Sequence, residues 1–435
     1  MIRIRTLALA LLALVVAGIA AAGLAAWWML ASDGALEWAA AELSRRTAGR
    51  IVIERPSGSM LGPIVAPRLV YDDGDVRVVA EEVRIEWSPW RALDRRVRIE
   101  SLTAARVTLV TRPTAEPSAP PVSLALPVEI EVARARVGRL DIDGLVATEV
   151  SGAYAGGPRG HALRDLQADS ELGRVHGAGR IASEPPFALD ADAFVSHALG
   201  AARVLAAGTL TEIALDFAAL SHGAEAIGTA RVQPYAAQPL AGLTAHAIDV
   251  DPAAWDAALP GARLALDIDA VQAAGALLAG TLNATNLAPG YAAEGRVPVQ
   301  TLATRFRVEG ETLVLEEART DLGAAGAITG QARLARERGS ADLAFDALNL
   351  RGLHRTLRAT RLGGTATFAY DGDVQRLNAR IAERGIQLAV DAQRRGDRSE
   401  VPRFEARFCR SRAEGLDLAR HGFKVVRVRV TGHHP

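Results

Sequence analysis

The stretch VRVVAEEVRIEW, residues 76–87, decides the fold class of this chain. Its apolar side chains stand at every second position, and the alternation shifts by one residue at Glu81 and Glu82 before it resumes. A period of two predicts a β-strand with one apolar face. The residues predicted on that face are Val76, Val78, Ala80, Val83, Ile85 and Trp87.

The same period recurs along most of the chain. Turn sequences that contain glycine separate the apolar runs: DDGD at 72–75, DIDG at 141–144, RVEGE at 307–311 and AYDGD at 369–373. Short strands with frequent turn signals predict an all-β chain with an antiparallel or mixed sheet. The other predicted strands carry Val97/Ile99, Val107/Leu109, Val128/Ile130/Val132, Leu140/Ile142, Leu264/Leu266/Ile268, Leu313/Leu315, Leu343/Phe345 and Ile386/Leu388/Val390.

Helices are predicted only as short pieces. Residues 36–47 form one amphipathic pattern, with Leu36, Ala39, Ala40 and Leu43 on one face and Gly49 just beyond its end. Three further segments, 83–102, 247–268 and 347–368, each have the pattern strand, helical turn, strand. This repetition predicts a sheet that grows by the addition of similar units.

The N-terminus predicts a membrane anchor. No charged residue occurs from Thr6 to Ala31, while Arg3 and Arg5 precede the run and the next basic residue is Arg45. A run of this length can span a bilayer, and the flanking arginines place the N-terminus in the cytoplasm and the rest of the chain outside it. The alternative is a cleaved signal peptide, which would also export the body. Anchor residues are Leu7, Leu11, Leu12, Val15, Val16, Ile19, Leu24, Trp27 and Trp28.

Composition excludes several classes of function. The formal net charge is +0, which argues against nucleic acid as a partner. Cys409 is the only cysteine, so an exported chain has no disulfide framework and no thiolate metal cluster.

Changes in composition predict five segments. PTAEPSAPPVSLALP, residues 113–127, cannot join a central strand because it has too many prolines. The predicted order is an anchor at 1–34, a helix with a first β unit at 35–112, this linker at 113–127, a repetitive β region at 128–400, and an atypical tail at 401–435. The tail is rich in arginine and poor in strand patterns, and its sequence suggests a truncated or frameshifted end.

The run RPSGSMLGPIVAPRLVYDDGDVRVVAEEVRIEWSPWRALDRRVRIESLTAARVTL, residues 55–109, resembles the start of the TamB family, which belongs to the wider AsmA-like group. A Gly-rich turn leads into strands, and a Trp-x-Pro turn with a following Trp-x-x-Leu comes next. A set of apolar residues at the spacing I-x-x-L-x-x-x-x-V-x-L ends the run. The resemblance covers about 110 residues well. The apolar residues of that last motif are Ile99, Leu102, Val107 and Leu109.

The resemblance implies a location and a function. Members of this group are single-pass inner-membrane proteins with a periplasmic β-sheet trough, and they are implicated in phospholipid movement between the two membranes. The group is also implicated in assembly of outer-membrane proteins and in secretion, with an outer-membrane barrel of the BamA/TamA type as a partner. Family members are much longer than this chain, which puts that partner in doubt here.

Residue patterns by themselves leave the apolar face with two interpretations. An open trough would shield phospholipid acyl chains, whereas a compact sandwich would bury the same face against a second sheet. A third possibility is a scaffold that adds nascent strands to a free sheet edge. The candidate groove lining is Val83, Ile85, Leu264, Leu266, Leu343 and Phe345.

An exported hydrolase is the remaining alternative. The sequence contains no G-x-S-x-G, H-E-x-x-H, P-loop or strand-linked G-x-G-x-x-G motif. Two pairs of carboxylates are candidates for a catalytic site, Asp249/Asp251 and Asp267/Asp269. Residues two apart in a strand share one face, and we interpret these residues as members of the face that contacts solvent. We therefore predict no catalytic residue, no cofactor and no metal.

Overall fold

The computed structural model confirms the all-β prediction, with 66% of residues in strands and 8% in helices. The described residues fall into two compact units that divide between Ile213 and Ala214, with Tyr235–Ala237 grouped with the first unit. In each unit the strands form an open sheet. The structure describes residues 33–90, 96–112, 119–383, 386–395, 398–408, 424–425 and 428–432.

Most strands follow one another as antiparallel hairpins. The N-terminal unit contains α1 (Asp33–Arg46), β1 (Ile51–Glu54), β2 (Ser57–Gly58), β3 (Ile64–Asp72), β4 (Val76–Ser88), β5 (Arg96–Thr111), β6 (Glu129–Ile142), β7 (Leu145–Gly156), β8 (Gly160–Ser170), β9 (Gly173–Ala182), β10 (Ala188–His197) and β11 (Gly200–Thr209). Strand β12 (Glu212–Ser221) spans the division. The C-terminal unit contains β13 (Ala224–Val232), β14 (Leu240–Val250), β15 (Leu264–Ala273), β16 (Ala276–Asn286), β17 (Thr301–Glu309), β18 (Thr312–Asp321), β19 (Ala327–Leu334), β20 (Arg338–Leu348), α2 (Leu350–Leu353), β21 (Leu362–Asp371), β22 (Val374–Glu383), β23 (Ile386–Arg395), β24 (Arg398–Phe408), β25 (Lys424–Val425) and β26 (Val428–Gly432).

The shift in the alternation of β4 has a backbone cause. Glu82 has a φ of 53°, in the left-handed region that L-residues rarely adopt. The ladder with β5 is interrupted there, between the pairs Glu81 with Arg106 and Arg84 with Thr103. Because of this irregularity, Val83 lies on the same face of the strand as Val78 and Ala80.

Similar irregularities occur in both units. Left-handed residues lie inside strands at Glu149 and Asp165 in the N-terminal unit, and at Asp249, Glu317 and Ala347 in the C-terminal unit. Most of them coincide with breaks in strand register. Bulges bend a strand and increase its twist. We therefore expect these irregularities to curve the sheet of each unit.

Substitution of Glu149 tests whether the left-handed backbone conformation at these positions is strained. Glu149 has a φ of 50° and is exposed. Glu149→Gly is expected to be about 0.5–1 kcal/mol more stable than Glu149→Ala, because only glycine adopts this conformation without steric cost. At Glu129, an ordinary strand position, the order of the two substitutions should reverse. Thermal unfolding of the four variants measures the difference, and the same order at both positions would contradict the strain.

Strands β5 and β6 are parallel, which the sequence did not predict. Val97 lies opposite Ile130 and Leu109 opposite Ile142. The Pro-rich segment 113–127 therefore connects two adjacent strands and returns the chain to the starting end of β5. Residues 113–118 lie outside the described residues.

The described part of the Pro-rich segment is docked on the rim of the N-terminal unit. The backbone N–H of Leu124 donates to the carbonyl oxygen of Ser183 at 2.8 Å, and that of Leu126 donates to Gly157 at 3.3 Å. His161 Nε2 lies 2.8 Å from the Leu124 carbonyl oxygen, and His161 Nδ1 lies 2.7 Å from the Tyr154 hydroxyl. The segment therefore belongs to the first unit.

The predicted amphipathic helix is confirmed as α1, which begins three residues earlier than expected. Leu36 is buried, whereas Leu43 is 38% exposed. Gly49 has a φ of 78°, and its N–H donates to the carbonyl oxygen of Ser44 at 2.7 Å, as expected for a helix end.

The predicted anchor cannot be compared with the fold, because residues 1–32 lie outside the described residues. Within the described part of the chain, no helix combines the length and apolar character that a bilayer crossing requires. The anchor stays a prediction from the sequence.

The prediction of a strand-poor tail is wrong for the described residues beyond 400. Strand β24 continues to Phe408, and β25 and β26 pair with it in parallel. Turn signals near these strands are weak, and parallel pairing across a long connection leaves no local pattern. His433 and His434 lie outside the described residues.

The repeated strand, turn and strand pattern is confirmed at 247–268 and 347–368, and residues 91–95 of the first copy lie outside the described residues. At the end of β14, Asp251 Oδ1 accepts from the N–H groups of Ala253 and Ala262 at 3.2 and 3.0 Å. Asn349 Oδ1 similarly accepts from Arg351 at 3.2 Å and from Thr360 at 3.3 Å. One polar side chain after the strand thus fixes each loop.

Candidate functional site: an apolar sheet face

The predicted groove residues of the C-terminal unit share one face of its sheet. Leu266 on β15 and Phe345 on β20 are connected by residues that lie directly opposite one another on successive strands. Because paired residues point to the same side of a sheet, the row defines a single face. Its members are Leu266, Ala284, Leu302, Thr320, Ile328, Phe345, Gly364, Ile381 and Leu388.

Leu264 and Leu343 extend this face on either side of the row. Leu264 is two residues from Leu266, and Leu343 is two residues from Phe345. Leu343 lies opposite Gly330 on β19 and Ala366 on β21. A Cβ atom at Gly330 would lie 3.0 Å from Leu343 Cδ2, so the absence of a side chain there makes room for the leucine.

The predicted groove residues of the N-terminal unit also share a face. Val83 lies opposite Ala66, and Ile85 lies opposite Ile64 on one side and Leu102 on the other. The neighbouring row on this face crosses six strands. Its members are Trp87, Ile99, Val132, Tyr154, Leu163 and Gly179.

Exposure differs between the two faces of each sheet. In β12, β13, β19 and β20, half-buried and exposed residues alternate almost strictly. Among the described helices, α1 packs on β1 and β2, and α2 packs on the turn at Gly323–Ala325, where the apolar face meets the rim. We attribute the partial burial to the curvature that the bulges give each sheet.

This partial burial favours an open face over a compact sandwich. The core of a sandwich is a layer of buried side chains from two sheets. Leu264, Leu266, Leu343 and Phe345 of the C-terminal unit are only half-buried, whereas Val83 and Val132 on the face of the N-terminal unit are buried. Among the described residues, the buried apolar side chains larger than alanine are Leu36, Val83, Val132, Phe187, Val314, Leu322 and Leu348.

A local core closes the apolar face at one rim of the C-terminal unit. Leu322, Ala325 and Leu348 form a buried cluster, and Leu350 and Leu353 of α2 pack against it. The sequence suggested helical turns here but gave no sign of their packing, because the contacts join loops that are far apart in the chain. Other half-buried members are Val299, Ile328, Phe345 and Leu362.

One further rim residue was missed by the sequence reasoning. Asn286 is 5% exposed, its Oδ1 accepts from the N–H groups of Arg263 and Ala288, and its Nδ2 donates to Val297. It plays the part that Asp251 and Asn349 play in the adjoining loops. The strand-end position before a long loop is the signal that could have identified it.

The opposite face is polar and rich in ion pairs. Asp249 accepts a hydrogen bond from Arg263, and Asp251 caps its own loop. Asp267 lies 2.7 Å from His246 Nδ1 and is exposed, as is Asp269. The interpretation of Asp267 and Asp269 as solvated strand residues is confirmed.

Ion pairing on this face lowers the pKa of individual carboxyls. Arg203 Nη2 donates to Asp192 Oδ2 at 2.6 Å, and this hydrogen bond holds the pKa of Asp192 below its usual value of 3.8. A depressed carboxyl pKa contributes stability that is complete above the unfolded value and is lost as the pH falls through the folded value. The contribution is therefore present at neutral pH and is lost below about pH 4.

Arg203→Gln is expected to return the pKa of Asp192 toward 3.8, because the charged hydrogen bond is removed. The measurement is a carboxyl NMR titration of Asp192 in both proteins. Arg180→Gln, a substitution on the neighbouring strand β9, should leave the pKa of Asp192 unchanged. An unaltered pKa in Arg203→Gln would contradict the assigned cause.

A cavity of about 760 Å³ lies at the rim of the N-terminal unit, and its charges are paired. Arg96 Nε lies 3.0 Å from Glu129 Oε2, and Arg98 Nη1 lies 3.1 Å from Glu131 Oε2. These pairs are partly exposed and contribute little stability. The lining also contains Val97, Ile130, Ile181 and Leu189, so the cavity lies at the rim and is not confined to the polar face.

The N-terminal sheet edge is poorly suited to strand addition. Strand β1 has four residues and β2 has two, and α1 contacts both. Short and covered edges block pairing with another chain. This observation does not favour the scaffold alternative at this edge.

Within the part of the chain that the structure describes, no three His, Cys, Asp or Glu side chains form a group that could hold a metal ion. Comparisons of the chain with protein-family models, curated proteins and solved structures find no match. A proposal for the function of this chain therefore rests on its sequence, its all-β fold and the face described above.

Proposed function

We propose that this chain is a membrane-anchored, exported protein of the TamB/AsmA-like type. In this proposal it shields phospholipid acyl chains on an apolar β-sheet groove and passes them between the inner and outer membranes. The periplasmic location and the inner-membrane anchor are parts of the same proposal. They rest on the N-terminal sequence and on the resemblance of residues 55–109.

The observation that supports the proposal most is the unbroken row from Leu266 to Leu388 on one half-buried face. Each methylene removed from water onto such a face contributes about 0.8 kcal/mol. A face that is enclosed by sheet curvature and remains partly exposed leaves room for a chain-like apolar ligand. Catalysis is not needed for this activity.

Photo-crosslinking in intact membranes tests the groove. A photoreactive residue at Val83, Ile85, Leu264, Leu266, Leu343 or Phe345 should capture phospholipid. Matched positions on the opposite face, Arg84, Asp267 and Ala344, should not. Absence of lipid at all six groove positions, or equal capture at the three controls, would refute the lipid groove.

Carbonate extraction tests the anchor. The full chain should remain with the membrane pellet, because a helix that spans the bilayer resists extraction. Recovery of a shortened chain in the soluble fraction would show that the N-terminus is a cleaved signal peptide.

A further inference from the structure

One loop of the C-terminal unit has a strong local charge. Asn349–Arg361 contains Arg351, His354, Arg355, Arg358 and Arg361 and no acidic residue. We call this segment the basic loop. Its four arginines are exposed, and its fold is fixed by Asn349, whose side chain accepts from two of the loop's own N–H groups.

Most of this positive charge is not neutralised by the protein. Arg355 Nη2 lies 3.0 Å from Glu294 Oε1, and its guanidinium carbon lies 4.7 Å from the centre of the Tyr291 ring. The side chains of Arg351, Arg358 and Arg361 form no ion pair or hydrogen bond with a described residue. The Glu383 carboxylate accepts the backbone N–H of Arg361 at 2.6 Å, and among the described residues it pairs with no arginine side chain of the loop.

Several other arginines of the same unit have carboxylate partners. Arg263 pairs with Asp249, and Arg307 Nη2 lies 2.6 Å from Glu309 Oε1. The basic loop is therefore a local excess of cationic groups in a unit whose other arginines are in part paired.

The basic loop also reaches the apolar face. Leu350 and Leu353 pack against the buried cluster of Leu322, Ala325 and Leu348, and Phe345 belongs to the same assembly. Leu350 and Arg351 are adjacent in the chain, so an apolar side chain that packs on the cluster and an exposed guanidinium leave the backbone at neighbouring positions. A phospholipid has the same arrangement, because its phosphate is joined to its acyl chains through a short glycerol unit.

We propose that the basic loop binds the phosphate of an anionic phospholipid whose acyl chains lie on the apolar face beside Phe345. Guanidinium groups bind phosphate oxygens in a planar, bidentate geometry. The loop itself contains no carboxylate to receive the ammonium of a choline or ethanolamine headgroup, and the two carboxylates that contact it, Glu294 and Glu383, already accept from Arg355 and from the Arg361 N–H. The loop is therefore expected to select lipids with net negative charge. This inference rests on the proposed function, because it assigns headgroup selectivity to the same groove.

The test compares binding of phosphatidylglycerol and phosphatidylcholine with identical acyl chains to the purified full chain in detergent. The wild type is expected to bind phosphatidylglycerol at least tenfold more tightly. The variant R351Q/R355Q/R358Q/R361Q should lose this preference and keep its affinity for phosphatidylcholine. The control R319Q/R338Q/R376Q/R380Q removes four exposed arginines from the opposite face, and it should retain the preference.

The possible results separate this inference from the proposed function. Equal binding of both lipids by the wild type overturns the selectivity but leaves the lipid groove intact. Binding of neither lipid by the wild type overturns the groove itself. The inference is also overturned if the basic-loop variant loses affinity for both lipids equally, because the loop would then have a structural role. It is likewise overturned if inorganic phosphate displaces the lipid from the wild type, because the loop would then be a site for free phosphate.

Discussion

Replacement of Leu343 by aspartate is expected to reduce phospholipid binding at least tenfold while the sheet remains folded. Leu343 lies on the apolar face between Gly330 and Ala366 and is half-buried. A carboxylate at this position would have to lose water to contact acyl chains, and the cost of that desolvation is several kcal/mol. A tenfold loss corresponds to about 1.4 kcal/mol of that cost.

The matched control is Ala344→Asp, which places the same charge on the neighbouring residue of the opposite face. It should leave lipid binding unchanged, because Ala344 is exposed on the polar side. Binding is measured by lipid crosslinking, and folding by far-ultraviolet circular dichroism. If Leu343→Asp unfolds the unit, the face is packed as in a sandwich; if both variants bind lipid normally, the face is not the binding surface.

Truncation of Leu348 is expected to have the largest effect on stability. Its side chain is 8% exposed and packs with Leu322 and Ala325 where the rim loops meet the apolar face. Leu348→Ala should destabilise the C-terminal unit by about 3 kcal/mol, because it removes buried methylenes and leaves a cavity. Urea unfolding of the full chain measures the change.

Leu357→Ala provides the comparison within the same connection. Leu357 is 44% exposed, and its truncation should cost less than about 1 kcal/mol. A similar cost for the two substitutions would mean that the cluster is not a packed core. A large loss that is confined to Leu348→Ala would establish that the rim core stabilises the loops beside the proposed lipid site.

The sequence predicted the local features of the fold well. The alternation of Val83 and Ile85 placed both on one face, and the change of phase before them marked the left-handed Glu82. The turn at 141–144 was also visible, because it depends on a few neighbouring residues. Period-two patterns were sufficient to place the groove candidates of each unit on one face for the same reason; their role as a lipid groove stays a prediction.

The arrangement of those faces was less accessible from the sequence. Small residues such as Ala284 and Gly364 occupy the rows between the large ones, and no apolar signal distinguishes them from turn residues. Asn286 was missed because its importance lies in hydrogen bonds to two other segments. Arginines of the basic loop were visible as residues, but the sequence did not show that Arg355 pairs with Glu294 while Arg351, Arg358 and Arg361 have no carboxylate partner among the described residues.

The sequence by itself therefore determined which residues form strands, where the chain turns, and which side chains within each strand share a face. These properties follow from the geometry of one strand and from turns of a few residues. Only the tertiary structure decided that β5 and β6 pair in parallel across the Pro-rich segment, that β26 returns beside β24, and that the groove candidates of the C-terminal unit are half-buried while Val83 is buried. Pairing partners and burial depend on contacts between segments that are distant along the chain, and several registers are compatible with the same period-two pattern.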